Sequence, residues 1–356
     1  MKVVIVPDSY KGCASSREIC EYMKNGVLSV RPDASVICIP VADGGEGTVE
    51  AVLAATDGKK VTALVQGPFG DMVEAAYALT GDTAVIEMAS AAGLALSAGR
   101  VEEASTYGVG QLIGHALSGG AKKVILGLGG SGTNDAGCGM AVALGARFYD
   151  GDGNPFIPTG GTLQNIARME PCGHFPVDAM CDVDNPLFGK TGAAYVYGPQ
   201  KGAKDPEKLD AGLRHIAAMI ETDPDTAGAG AAGGFGYAVL AFFGGSLKSG
   251  IDVVLDLADF ENKVAGADLV LTGEGQMDFQ TARGKVPVGV ARRAKKLSVP
   301  VVAVCGAVER GFEAVYSQGI TAVFSAVKGP CTLEAAMTNT RENVTSTVAD
   351  IVRLID

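Results

Sequence analysis

The sequence predicts an α/β protein in which one α/β domain is interrupted along the chain by a second. Near both ends, short apolar runs alternate with amphipathic stretches, a pattern typical of strands alternating with helices. Between these ends the pattern changes to short β-prone runs separated by turns, and 356 residues exceed the usual size of a single core. We therefore expect residues 1–60 and 262–356 to form one domain and residues 61–261 to form an inserted domain.

The N-terminal elements are predicted from apolar runs and one helix-start signal. Residues 2–6 and 36–41 are the strand candidates. Ser15 and Glu18 form a capping box, and apolar residues then recur at helical spacing. Residues 48–55 form the next predicted helix. This part of the chain therefore runs as strand, helix, strand, helix.

The middle of the chain begins with three short β-prone runs, at residues 61–65, 72–79 and 83–88. Gly-Pro and Gly-Asp pairs separate these runs, so they predict an antiparallel meander. Residues 123–128 form a further strand candidate.

The C-terminal part returns to regular alternation. Predicted strands at 268–271, 301–304 and 320–325 alternate with predicted helices at 286–297 and 309–317. Thr332 is the expected cap of a terminal helix, because a single apolar stripe follows it.

Composition limits the classes of partner. The formal net charge is −11 and Trp is absent, so nucleic acid and anionic membranes are poor candidates. No apolar run approaches the length of a membrane span. The eight cysteines contain no C-x-x-C pair and the N-terminal apolar run is too short for a signal peptide, so we expect a cytoplasmic protein with reduced thiols. The sequence leaves a homodimer open.

Polar loops follow four predicted strands, at residues 7–11, 42–48, 272–278 and 305–307. Parallel α/β sheets bind their ligands beyond the carboxyl ends of strands. These loops therefore predict one shared enzyme site.

A Gly-rich stretch at residues 127–132 matches the dinucleotide motif G-x-G-x-x-G and keeps a nicotinamide oxidoreductase open as an alternative. Two features argue against it. Asp135 would place a carboxylate where the motif requires a neutral cradle for pyrophosphate, and the strand candidate is not flanked by further predicted parallel strands. The loop could instead bind phosphate or substrate hydroxyls, or be a tight turn without a ligand.

Six segments together resemble the glycerate kinase family of the bacterial type. They cover almost the whole chain in order: PDSYK at 7–11, VADGGEGT at 41–48, GGSGTNDAG at 129–137, CDVDNPL at 181–187, GPQKGA at 198–203 and TGEGQMDFQTARGKVP at 272–287. The resemblance implies ATP-dependent phosphorylation of D-glycerate to 2-phospho-D-glycerate, with Mg²⁺ as cofactor. It also implies a flavodoxin-like (Rossmann-like) domain interrupted by a second α/β domain.

Phosphoryl transfer requires cations, a metal and a group that takes the hydroxyl proton. The candidate catalytic residues are Asp184, Lys285, Asp8, Lys11 and Asp182. Lys285 directly precedes a predicted helix whose N-terminus attracts anions, so we expect it to neutralise phosphate. Asp184 is the expected base, with Asp182 and Asp8 as its rivals. Glu274 and Asp278 are the predicted metal ligands; Asp182 and Asp184 are a second candidate pair, because a strand continuing through Val183 would point both the same way.

The predicted substrate- and phosphate-binding residues share these loops. They are Ser9, Asp43, Gly44, Gly45, Glu46, Gly47, Gly130, Ser131, Thr133, Asn134, Asp135, Asn185, Lys201 and Thr281. Loop-capping remains an alternative role for Asp43 and Asp135. A small-molecule sensor without catalysis remains the other alternative for the whole protein.

Overall fold

A computed structural model describes residues 1–42, 44–279 and 281–355. The strands are β1 Lys2–Pro7, β2 Ser35–Cys38, β3 Lys59–Gln66, β4 Met72–Thr80, β5 Thr83–Glu87, β6 Lys123–Gly127, β7 Arg147–Tyr149, β8 Pro155–Phe156, β9 Arg168–Glu170, β10 Val177–Met180, β11 Leu247–Lys248, β12 Leu269–Gly273, β13 Gln276–Met277, β14 Val301–Cys305, β15 Ala307–Val308 and β16 Ala322–Ser325.

The helices vary from one turn to more than four turns. They are α1 Ser16–Val30, α2 Thr48–Ala55, α3 Ala89–Ala92, α4 Leu94–Ser97, α5 Tyr107–Ser118, α6 Cys138–Ala143, α7 Ala193–Tyr197, α8 Pro206–Ala217, α9 Ala231–Phe243, α10 Gly250–Leu257, α11 Phe260–Val264, α12 Val286–Lys296, α13 Ala314–Ser317, α14 Leu333–Thr338 and α15 Thr340–Ile355. Within the described part of the chain, none of them is both long and apolar enough to cross a membrane.

The chain divides into two compact units. Unit 1 contains residues 1–42, 50–57 and 251–356, and unit 2 contains residues 43–49 and 58–250. Unit 1 is therefore discontinuous in sequence. Its two long segments come from the two ends of the chain.

Unit 1 is built on a five-stranded parallel sheet with the order β16-β14-β12-β1-β2. Alternate residues of β1 enter different cores: Val4 and Val6 pack in the core that contains residues of α10 and α12, while Val3 and Ile5 pack in the core that contains residues of α1 and α15. Burial on both faces explains the continuous apolar strands of this sheet. The polar groups therefore collect at its ends.

Two helix-start predictions in unit 1 are confirmed. The Ser15 side chain accepts a hydrogen bond from the Glu18 N–H, and the Glu18 carboxylate accepts from the Ser15 N–H, so both halves of the capping box are formed. The Thr332 side chain accepts from the Ala335 N–H.

Unit 2 is built on a mixed six-stranded sheet with the order β11-β10-β6-β5-β4-β3. The pairs β3–β4 and β4–β5 are antiparallel, which confirms the predicted meander. Strands β5, β6, β10 and β11 are parallel neighbours, and α5, α6 and α9 contribute to the core beside them. A small antiparallel sheet, β8-β7-β9, completes the strands of this unit.

Several predicted boundaries differ from the structure. Residues 251–261 were expected in the inserted domain, yet Ile251, Val254 and Phe260 pack in a core of unit 1. The helix expected at 309–317 is reduced to α13, because Gly311 has a left-handed φ of +89°. The terminal helix is split into α14 and α15.

Candidate functional site

The first group of predicted site residues lies at the carboxyl end of the unit 1 sheet. The Asp8 N–H donates to the Gly273 carbonyl at 2.8 Å, so the ends of β1 and β12 are adjacent. A Cβ atom on Gly273 would lie 1.8 Å from the Val304 carbonyl oxygen, so only glycine fits there. The buried Tyr10 hydroxyl donates to the same carbonyl at 2.6 Å.

Glu274 is the buried carboxylate of this edge, with 5% of the residue exposed. Its Oε1 accepts a hydrogen bond from the Thr281 hydroxyl at 2.6 Å. Burial raises the pKa of Glu274; the Thr281 hydrogen bond and the Lys285 charge act in the opposite direction, and the charge of Asp8 adds to the rise.

Lys285 lies between the two predicted metal ligands. Its Nζ is 3.5 Å from Glu274 Oε2 and 3.7 Å from Asp278 Oδ1. Lys285 is also the N-cap residue of α12, so this cation stands where the helix dipole already favours anions. The Asp278 N–H donates to the Thr281 hydroxyl at 3.1 Å, which connects Thr281 to both acids.

Ser9 and Lys11 occupy the loop after β1. The Ser9 N–H donates to Asp8 Oδ1 at 2.6 Å, so one carboxylate oxygen of Asp8 is used within the loop. Lys11 is exposed, and it makes no ion pair with the described residues. Its ammonium group is therefore accessible to a ligand.

The second group of predicted site residues lies in unit 2, where the segment 44–47 passes over the ends of two strands. The Gly129 N–H donates to the Gly44 carbonyl at 3.0 Å. A Cβ on Gly127 would lie 2.4 Å from the Gly44 oxygen, and one on Gly129 would lie 2.5 Å from Gly45 Cα. Glu46 and Gly47 are exposed beyond this crossing. Asp43 is outside the described residues.

This packing explains the Gly-rich motif without a dinucleotide. Gly127 and Gly129, the first two glycines of the motif, admit the backbone of residues 44–45 instead of a pyrophosphate. One argument against the motif was wrong, since β6 lies between the parallel strands β5 and β10. The close approach of the chain to itself provides the stronger argument.

Lys201 is buried beneath the Gly-rich loop rather than exposed toward a ligand. Only 3% of the residue is exposed, and its Nζ donates to Ser131 Oγ at 2.9 Å and to the Thr133 carbonyl at 2.8 Å. Burial lowers the pKa of Lys201 to about 7, and the Asp135 charge opposes this shift.

Asp135 is fully buried and caps the start of α6. Its carboxylate accepts hydrogen bonds from the Thr106 N–H and hydroxyl, each at 2.8 Å, and from the N–H groups of Gly137 and Gly139. Burial raises its pKa, while these hydrogen bonds lower it. This arrangement favours the loop-capping alternative over contact with phosphate.

Thr133 and Asn134 carry polar atoms without partners. Thr133 Oγ1 and both amide atoms of Asn134 are buried, and none has a hydrogen-bond partner in the structure. Buried groups of this kind are rare in native proteins and require an explanation such as a missing ligand or water. The neighbouring Gly130 is exposed and has a left-handed φ of +71°.

The acid loop after β10 differs from its prediction. The strand ends at Met180, so the strand alternation expected to align Asp182 with Asp184 does not apply. Asp182 and Asp184 are both exposed, and Asp182 Oδ1 accepts from the Gly250 N–H at 3.0 Å. Asn185 bonds the Thr191 carbonyl and the Tyr197 hydroxyl, which makes it a loop anchor.

The structure therefore brings the predicted residues together in two groups, one in each unit. Asp8, Ser9, Glu274, Asp278, Thr281 and Lys285 belong to the first, and the loops at 44–47, 130–135 and 181–185 with Lys201 belong to the second. In the part of the chain that the structure describes, no three His, Cys, Asp or Glu side chains form a metal-binding group. The prediction that Asp8, Lys11, Asp43, Glu46 and Glu274 share one site stays a prediction.

Two supporting residues were missed by sequence reasoning. Thr106 anchors Asp135 from 29 positions away, and Glu87 Oε1 accepts from the Val49 N–H at the start of α2. Neither residue lies in a recognisable motif. A distant residue that satisfies a loop leaves no local signal in the sequence.

Parallel sheets whose carboxyl ends carry buried acids, lysines and Gly-rich loops define a class of α/β enzymes that act on small ligands. The sequence matches the glycerate kinase family over residues 3–356. It is 45% identical to the glycerate kinase of Bacillus cereus, covering 99% of this chain and 97% of that protein. It is 42% identical to the glycerate 2-kinase of Escherichia coli, covering 97% and 95%.

A solved structure supports the same assignment. The crystal structure described as "putative glycerate kinase 2 from Salmonella typhimurium LT2" matches with a TM-score of 0.86 and 43% identity, covering 100% of this chain and 98% of that one. The chain belongs to the glycerate kinase family.

Proposed function

We propose that the protein transfers the γ-phosphoryl group of ATP to the 2-hydroxyl of D-glycerate, giving 2-phospho-D-glycerate and ADP. The observation that carries this proposal is the similarity to curated glycerate kinases over almost the whole chain, including one named glycerate 2-kinase. The nicotinamide alternative has lost its structural basis, because the chain's own backbone fills the Gly-rich motif. No observation favours a non-catalytic sensor.

Unit 1 supplies the groups that we assign to phosphate and metal. Lys285 neutralises charge on the transferred phosphoryl group, supported by its position at the start of α12. The exposed ammonium of Lys11 is assigned to the same anion. In the transfer, the substrate oxygen forms a bond to phosphorus, the bond from phosphorus to the β–γ bridging oxygen breaks, and ADP leaves.

Glu274 and Asp278 would hold Mg²⁺. Two carboxylates that face one cation in the structure fit the one or two protein carboxylates that Mg²⁺ takes. When bound, the metal would neutralise negative charge on the nucleotide phosphates. Thr281 holds the Glu274 carboxylate in place through its hydroxyl.

Unit 2 supplies the groups that we assign to substrate recognition. Ser131, Thr133 and Asn134 offer hydroxyl and amide groups that suit a hydroxy acid, and the unpartnered atoms of the last two support this role. Asp184 is the proposed base. It is exposed and makes no hydrogen bond within the described residues, whereas its rivals Asp182 and Asp8 each accept a backbone N–H.

The finer fold assignment is also a proposal. Numbered within unit 1, the parallel strands follow the order 2-1-3-4-5, which supports a flavodoxin-like domain interrupted by the second unit. We retain a cytoplasmic location and a homodimer as predictions.

The test is an ADP-release assay with D-glycerate, ATP and Mg²⁺, with omission of glycerate and substitution of L-glycerate as controls. Turnover that needs D-glycerate supports the proposal, and release no faster than in the omission control overturns it. The ³¹P NMR spectrum of the product then identifies the hydroxyl. Phosphate on the 2-oxygen couples to one carbon-bound proton, whereas phosphate on the 3-oxygen couples to two.

A further inference from the structure

The buried ammonium group of Lys201 connects two parts of unit 2 that are distant in sequence. The residue ends the 3₁₀ turn Pro199–Lys201, and its Nζ reaches the loop at Ser131 and Thr133, about seventy positions earlier in the chain. A Cβ on the next residue, Gly202, would lie 2.5 Å from the Gly99 carbonyl oxygen. The turn that presents Lys201 is therefore tightly packed.

Burying this ammonium group costs free energy that an apolar side chain would not cost. The desolvation is visible in its pKa, which falls to about 7 despite the Asp135 charge. Two hydrogen bonds to the chain itself offset part of the cost. A buried cation whose bonds end on one loop indicates that the conformation of that loop matters.

Lys201 is bonded to a loop whose side chains at Thr133 and Asn134 make no hydrogen bonds of their own to the described residues. Among the described residues, Thr133 Oγ1 and the Asn134 side-chain amide have no hydrogen-bond partner, so no hydrogen bond of theirs fixes the loop. The loop is held by contacts with other segments: backbone hydrogen bonds join Gly130 to Leu94 and Gly132 to Ala92. Lys201 adds bonds at Ser131 and Thr133, and Asp135 is bonded to Thr106. The buried polar atoms of Thr133 and Asn134 lack the partner that a ligand or a water would supply.

We propose that Lys201 is a positioning residue: it holds Ser131 and Thr133 in the conformation in which the 130–134 loop binds substrate, and does not itself contact phosphate. This inference rests on the proposed function and replaces the role first predicted for Lys201. The geometry supports it because two of the three N–H donors of Nζ already bond the loop.

The kinetic test compares Lys201→Met, Ser131→Ala and the double variant with the parent protein. Lys208→Met, a change at an exposed lysine of α8, is the matched control. We expect Lys201→Met to lower kcat/KM by about 10-fold to 100-fold, since small misplacements of binding groups have effects of this order. We also expect the KM for one of the two substrates to rise, whereas a purely structural loss of folded enzyme would leave both KM values unchanged.

The double variant distinguishes positioning from direct contact. If Lys201 acts through Ser131, the double variant should lie within about threefold of Lys201→Met, because the two changes remove one shared interaction. If the losses of kcat/KM in the two single variants instead multiply in the double variant, the proposal is wrong. So would a value of kcat/KM for Lys201→Met within about threefold of the parent.

Hydrogen exchange gives a readout that does not require turnover. We expect the backbone amides of residues 129–136 to exchange faster in Lys201→Met than in the parent or in Lys208→Met, with the rest of unit 2 unchanged. Equal exchange in this segment overturns the proposal even if the protein proves not to phosphorylate glycerate. If Lys201→Met does not fold, Ser131→Ala takes the same test, because it removes one of the two bonds that Lys201 makes.

Discussion

Lys285 and the two acids beside it form a cluster of one cation and two carboxylates. Glu274 and Asp278 both lie within 4 Å of its Nζ, while 39% of the lysine side chain stays exposed. A structural ion pair with this exposure would contribute little to stability. A small contribution to stability is consistent with the role proposed for Lys285 in phosphate binding.

Lys285→Ala should lower kcat by about 10²-fold to 10⁴-fold, because it removes a cation that stabilises charge in the transition state. The melting temperature should change little. Steady-state kinetics and thermal unfolding check both expectations, with Lys296→Ala on the exposed face of the same helix as control. A variant that retains activity within about threefold would show that Lys285 does not neutralise the phosphate.

Asp184→Ala and Asp182→Ala should separate the proposed base from its neighbour. Loss of a general base costs about 10²-fold to 10⁴-fold in rate, and Asp184 makes no hydrogen bond with any residue that the structure describes. Asp182→Ala loses the bond to the Gly250 N–H, so it should reduce the free energy of unfolding by about 1 kcal/mol. A larger loss of kcat in Asp182→Ala than in Asp184→Ala would instead identify Asp182 as the base.

Glu274 should make stability depend on pH in a defined direction. Its pKa is raised in the folded protein, mainly by burial, so the folded state retains the proton to a higher pH than the unfolded state. The free energy of unfolding of the parent, relative to Glu274→Gln, should therefore fall as pH rises through the raised pKa. Urea denaturation of both proteins from about pH 4 to about pH 8 measures this difference. A difference that does not vary with pH would contradict the raised pKa.

At the scale of elements, glycines after β6 of unit 2 allow the backbone of the 44–47 segment to pass close to the end of this strand. Gly129→Ala would place a Cβ 2.5 Å from Gly45 Cα, where no side chain can move aside. A Cβ on Gly151 would meet open space, and Gly151 lacks the left-handed φ of nearby Gly153. Gly151→Ala is therefore the matched control for Gly129→Ala.

Gly129→Ala should destabilise the protein by about 1 to 3 kcal/mol and reduce kcat/KM, because the 44–47 segment must shift. Gly151→Ala should leave both close to the parent values. Thermal unfolding and the ADP-release assay check the pair. Equal behaviour of the two variants would show that the crossing tolerates a Cβ.

At the scale of the whole molecule, the two units differ in how they are assembled from the chain. Every residue of the largest core lies between Ala63 and Phe243, within the continuous segment 58–250. Unit 1 instead takes β1 and β2 from the N-terminal segment and its remaining strands from the C-terminal segment. We therefore expect the continuous segment 58–250, which carries this whole core, to fold without the rest of the chain.

A fragment of residues 58–250 should unfold cooperatively on heating. Fragments 1–57 and 251–356 should each be largely unfolded alone, because each holds only part of one parallel sheet. Circular dichroism and thermal melts of the three fragments test this. Cooperative unfolding of fragment 1–57 by itself would contradict the shared sheet.

Local chemistry was sufficient to predict part of this protein from its sequence. The capping box of α1, the Thr332 cap of α14 and the antiparallel meander each depend on neighbouring residues, and all were confirmed. The six motifs indicated the family, which the comparisons established. The sequence also placed Asp8 and Glu274 after strands of one sheet, where the structure brings them together.

The tertiary structure alone decided what each polar group contacts. Lys201 and Asp135 lie in motifs that the sequence could assign only to a ligand or to a loop, yet both are buried and bonded to residues about 30 to 70 positions away. Gly127 and Gly129 match a dinucleotide motif, but the backbone that packs against them belongs to the segment at Gly44. Gly44 lies 85 positions before Gly129, to which it is hydrogen-bonded. Such contacts form between chain segments that only folding brings together. No local sequence pattern predicts them, because burial and hydrogen bonding are properties of a residue's surroundings rather than of the residue.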